Sequence, residues 1–303
     1  MRTIGYERAL ELLTPADAVD LIRDTLKSSF DPSNDLDRII APLSNGEFLI
    51  MPSELDSAFG IKVISVADST ATNAQARIQG SYLLFDGESM SPTHTIDGVA
   101  ITNLRTPAAS LAGIKDFLIA DQQPLEAFIF GTGPQARWHA HTLKDMLRGY
   151  RDVTITFCSR TKPRDVDTWV EAGSPEAQRK LGTTGLIICA TTAGTPLFGS
   201  DDIAEDAIIV AVGSHSPDKR EVGSEVIASA QVIVEDMGAA LREAGDIILA
   251  VKDGSIREQD LTTVKDLLMD PTQFDHSHRI LFKTTGMSWQ DLVLAQAIAR
   301  RDA

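Results

Sequence analysis

The spacing of apolar positions changes along the 303 residues. Residues 14–30, "TPADAVDLIRDTLKSSF", follow a helical spacing. Thr14 before Pro15 is a favourable start, a capping hydroxyl followed by a residue whose missing N–H costs nothing in a first turn. Three short β-rich runs come next, "EFLIMPS", "IKVISVA" and "GSYLLFD", bounded by Gly, Asp, Pro or Ser, which predicts hairpins or a meander. "DGVAITNLRTPAASLAGIKDFL" returns to a helical texture with small residues suited to close packing. From Pro124 onward, apolar runs alternate with helical segments. "EAFIFG", "DVTITFCS", "GLIICATT", "AIIVAVGS" and "QVIVED" are apolar nearly throughout, as strands covered on both faces of a parallel sheet should be. The expected class is α/β, a Rossmann-type doubly wound parallel sheet joined to an α+β domain, with the change of texture near residue 120. The closing "SWQDLVLAQAIARRDA" reads as an amphipathic helix whose apolar positions need a partner surface.

Composition narrows the function classes. With 43% hydrophobic and 23% charged residues, the chain can bury a sizeable core. A formal net charge of −15, spread along the chain, disfavours nucleic acid and anionic membranes as partners. No apolar stretch approaches the roughly 18 residues of a membrane span, and "MRTIGYERALELL" lacks a signal peptide's apolar core, so a cytoplasmic location is expected. Cys158 and Cys189 lie in strand-like runs without metal-ligand spacing, which predicts buried free thiols and no metal site.

The first chemical signal is the turn "FIFGTGPQARWHAHTL" at residues 128–143. Gly131, Gly133 and Ala136 form G-x-G-x-x-A between an expected strand and an expected helix. The first glycine permits a sharp turn, the second lets backbone approach a pyrophosphate, and the small third residue lets helix and sheet pack closely. Exposed N–H groups at the helix start would face the phosphate oxygens. A ligand-free turn is the alternative for an isolated match, but this one heads a run of alternating strands and helices. Where NAD-preferring sites carry Asp or Glu at the tip of the next strand, this chain reads Ser159, Arg160, Thr161 and Lys162. The missing acid and the cations suit a 2′-phosphate, so NADP(H) is expected, with NAD(H) as the alternative. His139 and His141 follow the turn two residues apart and point to different faces, which disfavours a shared metal and leaves ordinary helix residues.

A second signal is cationic. Arg38 in "DRIIAPL", Lys62 in "FGIKVIS" and Arg105 in "TNLRTPAAS" stand beside strands or glycine turns. Lys62 interrupts an apolar strand, where a lysine needs an anionic partner or an exposed face. Singly, each reads as an ion pair or an exposed strand residue. Together they could hold a carboxylate and polarise an adjacent carbon–nitrogen bond.

The succession "RIIAPL", "FLIMP", "GIKVISV", "DGVAITNLRTPAASLAGIK", "GTGPQARWHAHTL", "CSRT", "CATTAGTPLF", "VGSHSPDKREV" and "FKTTGMSWQDL" resembles the ornithine cyclodeaminase/mu-crystallin family, in order and over nearly the whole chain. The resemblance implies a substrate-binding and dimerisation domain at 1–120, completed by the C-terminal helix at 287–303, and a Rossmann domain at 121–286, in a homodimer with its active site at the domain cleft. It makes Arg38 and Arg105 carboxylate binders and gives Lys62 the substrate nitrogen. It assigns Gly131, Thr132, Gly133, Pro134, Gln135 and Ala136 to the pyrophosphate turn, and Ser159, Arg160 and Thr161 to the adenosine ribose. Thr191 and Thr192 fall in the family's "ATT" loop. Val212, Gly213, Ser214 and His215 lie in the loop expected near the nicotinamide, and Lys283 to Gly286 should close over the same region.

Members with cyclodeaminase activity carry aspartate in "G-x-D-x-P-G-K-x-E", where this chain has His215 in "GSHSPDKRE". Histidine can act as acid or base near neutrality but supplies no fixed negative charge for a substrate ammonium. "SPDKRE" is closer to the mu-crystallin-like branch, which reduces cyclic ketimines. The expected activity is therefore NADPH-dependent reduction of a small-molecule cyclic imine, Δ1-pyrroline-2-carboxylate or Δ1-piperidine-2-carboxylate, to proline or pipecolate. Lys62, Arg105 and His215 are the expected catalytic residues. The alternatives are an ornithine cyclodeaminase releasing ammonia, an amino-acid dehydrogenase of the same family, and a non-enzymatic binding protein.

Overall fold

A computed structural model describes residues 1–67, 76–166, 168–275 and 277–302. They form two compact units, Met1–Ala108 with Gly286–Ala303, and Ala109–Thr285. The boundary falls at 108/109 rather than near 120, inside a continuous helix. A helix shared by two units leaves no Gly- or Pro-rich linker to mark the junction.

The first unit carries strands β1 (Arg2–Ile4), β2 (Ile39–Leu43), β3 (Gly46–Leu55), β4 (Ala58–Ala67), β5 (Ile78–Asp86) and β6 (Pro92–Asp97). Its helices are α1 (Tyr6–Leu12), α2 (Pro15–Lys27), the first part of α3 (Gly98–Ala112), and the last helix of the chain, Ser288–Arg301. The sheet order is β1-β6-β5-β4-β3-β2. Strands β2 to β6 form the expected antiparallel meander, and β1 adds in parallel at the edge. Thr14 caps α2 by accepting a hydrogen bond from Asp17 N–H at 3.1 Å. The last helix packs on β3, β4 and β5 as well as on α2 and α1. The partner surface demanded by its apolar positions is thus this unit's own sheet.

The second unit holds an eight-stranded sheet in the order β13-β12-β14-β11-β10-β7-β8-β9, every pair parallel. Its strands are β7 (Leu125–Phe130), β8 (Val153–Ser159), β9 (Trp169–Glu171), β10 (Leu186–Cys189), β11 (Ile208–Ala211), β12 (Ala230–Val234), β13 (Leu261–Thr263) and β14 (Arg279–Lys283). Helices α4 (Lys115–Ile119), α5 (Pro134–Met146), α6 (Pro175–Leu181), α7 (Ser224–Ala228), α8 (Met237–Glu243), α9 (Gly245–Lys252) and α10 (Val264–Met269) complete it; the terminal helix of the first unit is α11. The central strands β7, β10, β11 and β14 are almost wholly buried, which explains their continuous apolar sequence. Both cysteines are buried free thiols. The chain reverses direction across the sheet between β7 and β10, and in such folds ligands bind outside the carboxyl ends of the strands at this switch point.

Candidate active site

In the first unit, register decides which side chains face inward. Lys62 lies opposite Met51 on β3 and Tyr82 on β5, in the row of the sheet that α11 covers. Its side chain is completely buried and meets Asp291, in the first turn of α11. Nζ lies 2.8 Å from Oδ1, to which it donates, and 2.7 Å from Oδ2. Arg105 on α3 donates from Nε to the same Oδ1 at 3.1 Å. The lysine that interrupts an apolar strand therefore has an anionic partner.

One carboxylate thus faces two buried cations, and that excess sets the electrostatics. Burial pulls the Lys62 ammonium down to about 7; Arg105 and Arg38 push in the same direction, and Asp291 opposes them. An ammonium that titrates near neutrality can give or take a proton there, and the surplus positive charge favours an anionic ligand. Tyr82 is also buried, and an added Cβ on Gly60 would stand 2.4 Å from its Oη, so only glycine fits beneath the phenol.

Gly286 joins the two arginines. Arg38 donates from Nη2 to Gly286 O at 2.8 Å, while a Cβ at Gly286 would fall 1.9 Å from Arg105 Nη1. Its φ of +79° lies in the left-handed region that favours glycine. Behind them, Asp35 accepts from Trp289 N–H at 2.8 Å and from Ser53 Oγ at 2.7 Å, tying the start of α11, and with it Asp291, to β3.

In the second unit, β7 ends at Phe130 and α5 begins at Pro134 with Gly133 as N-cap. Gly131 has φ +103°, and a Cβ there would lie 2.5 Å from Ala190 O. A Cβ on Gly133 would meet nothing within 4 Å. The first glycine is therefore demanded by the fold, whereas the second borders open space. Gly133 offers no side-chain cap and the first turn of α5 carries no acid, so its N–H groups stay available to an anion. Gln135 Oε1 is buried without a hydrogen-bond partner, and Ala136 is fully buried against the sheet. These features fit a dinucleotide pyrophosphate. At the tip of β8, Arg160, Thr161 and Lys162 are exposed, while Ser159 Oγ donates to Thr161 O at 2.8 Å and accepts from Trp169 Nε1 at 2.9 Å.

The remaining expected residues cluster at the carboxyl ends of β10, β11 and β14. Thr191 is half-buried and Thr192 exposed, in the loop after β10. Val212, Gly213, Ser214 and the half-buried His215 follow β11. Lys283 ends β14 fully buried, its Nζ donating to Ser214 O at 2.6 Å and 2.9 Å from Asp246 Oδ2. His139 is a core residue. Its Nδ1 is 2.7 Å from Gln135 O, its Nε2 is 3.1 Å from Ser110 Oγ, and burial holds it at about 4. His141 is exposed, its ring set edge-on to Trp138.

Sequence reasoning missed Asp291, Asp35, Glu221 and Asp246. The available signal was a single acid in the apolar half of a helix, as in "SWQDLVLAQ", and a glutamate closing "SPDKRE".

A parallel sheet with a glycine turn at its switch point and a helix start open to an anion define a Rossmann-type dinucleotide-binding unit. The chain belongs to the ornithine cyclodeaminase/mu-crystallin family, whose model matches residues 16–302. It is 26% identical over 283 residues to the Δ1-pyrroline-2-carboxylate/Δ1-piperideine-2-carboxylate reductase of Azospirillum brasilense, covering 88% of this chain and 84% of that one. It is 24% identical to the Δ1-pyrroline-2-carboxylate reductase of Colwellia psychrerythraea, over 99% of both chains. Among solved structures, the Thermococcus litoralis Δ1-pyrroline-2-carboxylate reductase in complex with NADH and L-proline superposes with a TM-score of 0.87 at 23% identity, covering 99% of this chain and 97% of that one. That likeness establishes the fold.

Proposed function

We propose that the protein reduces a cyclic ketimine carboxylate, Δ1-pyrroline-2-carboxylate or Δ1-piperidine-2-carboxylate, to proline or pipecolate with NADPH. The observation that carries this reading is Lys62, a buried ammonium brought to about 7 beside Arg105 and Asp291. Bound NADPH supplies the hydride. Arg38 and Arg105 hold the substrate carboxylate, Arg105 through the part of its guanidinium that Asp291 does not engage. Lys62 donates to the imine nitrogen and keeps it protonated, which matters because an iminium accepts hydride far better than a neutral imine. Asp291 keeps the lysine oriented and offsets part of the burial cost of its charge. The names of the Azospirillum and Colwellia relatives support this substrate class.

On the cofactor side, the turn from Gly131 to Ala136 binds the pyrophosphate, with Thr132 and Pro134 inside it. Ser159, Arg160 and Thr161 meet the adenosine ribose, and Arg160 favours a 2′-phosphate. Thr191, Thr192 and residues 212–215 flank the nicotinamide, and His215 is a second acid–base group there. The test is NADPH oxidation with each imine, run beside ammonia release from ornithine. Imine-dependent NADPH loss without ammonia supports the reductase; ammonia and proline without net cofactor loss assign the chain to cyclodeaminases.

The functional form is a homodimer. The sheet face of the first unit opposite α11 carries Ile39, Phe48, Ile50, Ile61, Leu83 and Phe85, placed on one side by register. Ile39 is 56% exposed, and the others are half-buried. A second copy of the same face is the occupant that such a self-complementary apolar surface suits.

A further inference from the structure

Beneath the loops that follow β10 and β11 lies a closed ring of buried and half-buried polar contacts. The Glu221 carboxylate accepts from Thr191 N–H at 2.8 Å and Thr191 Oγ at 2.6 Å through Oε1, and from Gly213 N–H at 2.6 Å through Oε2. One carboxylate thereby joins both loops. Burial raises the Glu221 carboxyl above the usual carboxylate range, while Lys283 and the donors at Thr191 and Gly213 oppose that shift and favour the ionised form. Its own N–H and that of Val222 donate to Asp246 Oδ1 at 2.8 and 2.9 Å. Asp246 pairs with Lys283, and Lys283 donates to Ser214 O, the residue after Gly213. The circuit returns to its start.

Gly213 shows how closely the ring is fitted. A Cβ there would stand 2.1 Å from Thr191 O and 2.6 Å from Glu221 Oε1.

We propose that Glu221 is the positioning residue that sets both nicotinamide-side loops in one cofactor-binding arrangement, with Asp246 and Lys283 holding it in place. This rests on the reading that residues 191–192 and 212–215 flank the cofactor, and it does not depend on which imine is reduced. Glu221→Gln keeps size and shape but turns one oxygen into a donor that faces the Thr191 or Gly213 N–H. Two donors then oppose each other, and the loops must separate.

The experiment is titration of the full-length protein with NADPH, followed by the cofactor's fluorescence without substrate, beside thermal melting. For Glu221→Gln the dissociation constant should rise at least about tenfold while the protein remains folded at the titration temperature. Glu221→Asp, which retains the acceptors on a shorter stem, should recover part of the loss. An unchanged dissociation constant in folded Glu221→Gln overturns the proposal, as does an equal loss in Glu221→Asp and Glu221→Gln. If Glu221→Gln does not fold, Asp246→Asn, which retains an acceptor for the Glu221 and Val222 N–H groups, decides. Weaker NADPH binding supports the ring, and wild-type binding refutes it. Wild-type protein that binds NADPH but reduces neither imine would count against the substrate reading and leave this test intact.

Discussion

Lys62 carries the chemical argument, and its environment sets the direction of the pH response. Burial and two neighbouring arginines lower its affinity for a proton to about 7, so the ammonium is present below that pH and lost above it. If Lys62 is the acid, kcat/KM for imine reduction falls as pH rises through about 7, and the reverse oxidation gains over the same range. A profile flat from about pH 6 to 8 would contradict the role. Lys62→Ala should lower kcat by roughly 10²- to 10⁴-fold while leaving NADPH affinity within about threefold, because the residue lies in the other unit from the glycine turn. Comparable losses in both would mean that the lysine is structural. Gly286→Ala places a methyl against Arg105 in a left-handed backbone conformation, for which about 1–2 kcal/mol of destabilisation is expected together with a higher KM for the imine. Melting curves and initial rates check both parts.

At the scale of elements, the local signals translated directly wherever one face or both faces of an element set its pattern. The α2 cap, the β3–β4–β5 meander and the parallel strands β7, β8, β10, β11 and β12 follow from periodicity and bounding residues, whereas the three-residue β9 carries no such local signal. The same is true of the glycine turn, where Gly131 needs φ +103° and Gly133 faces open space. Strand β14 was not legible as a strand. "RILFK" is short and charged at both ends, and its insertion between β11 and β12 is a long-range fact. Its Arg279 is buried because the guanidinium donates to carbonyls of Ser200, Ile203 and Ala204, partners that no local pattern announces. Asp291 was hidden for a related reason: an acid on a helix reads as solvated until the sheet beneath is known to present Lys62. The tip of β8 also supports a test at this scale. Arg160→Ser should reduce the preference for NADPH over NADH by about tenfold or more, the value of a lost charge-assisted contact to phosphate, measured as the ratio of kcat/KM for the two cofactors. An unchanged ratio would return Arg160 to the solvent.

For the whole molecule, the division into two units separates two kinds of chemistry. The unit formed by 1–108 and 286–303 concentrates buried cations around one aspartate; the unit formed by 109–285 offers a helix start to an anion and braces its loops with buried carboxylates. The proposed homodimer should give a mass near twice 32.8 kDa by light scattering. Replacing Ile39 and Ile50 with lysine should shift the protein toward monomer, and a wild-type monomer at micromolar concentration would refute the interface. The proposed reaction is hydride delivery from NADPH to the carbon of a protonated imine. Its most direct test is to supply NADPH carrying two deuterium atoms at the C4 position of the nicotinamide, with Δ1-pyrroline-2-carboxylate, and to weigh the product. Proline containing one deuterium at Cα, formed in step with cofactor oxidation, is the expected product. No labelled proline from the imine, with unlabelled proline and ammonia arising from ornithine, would contradict it.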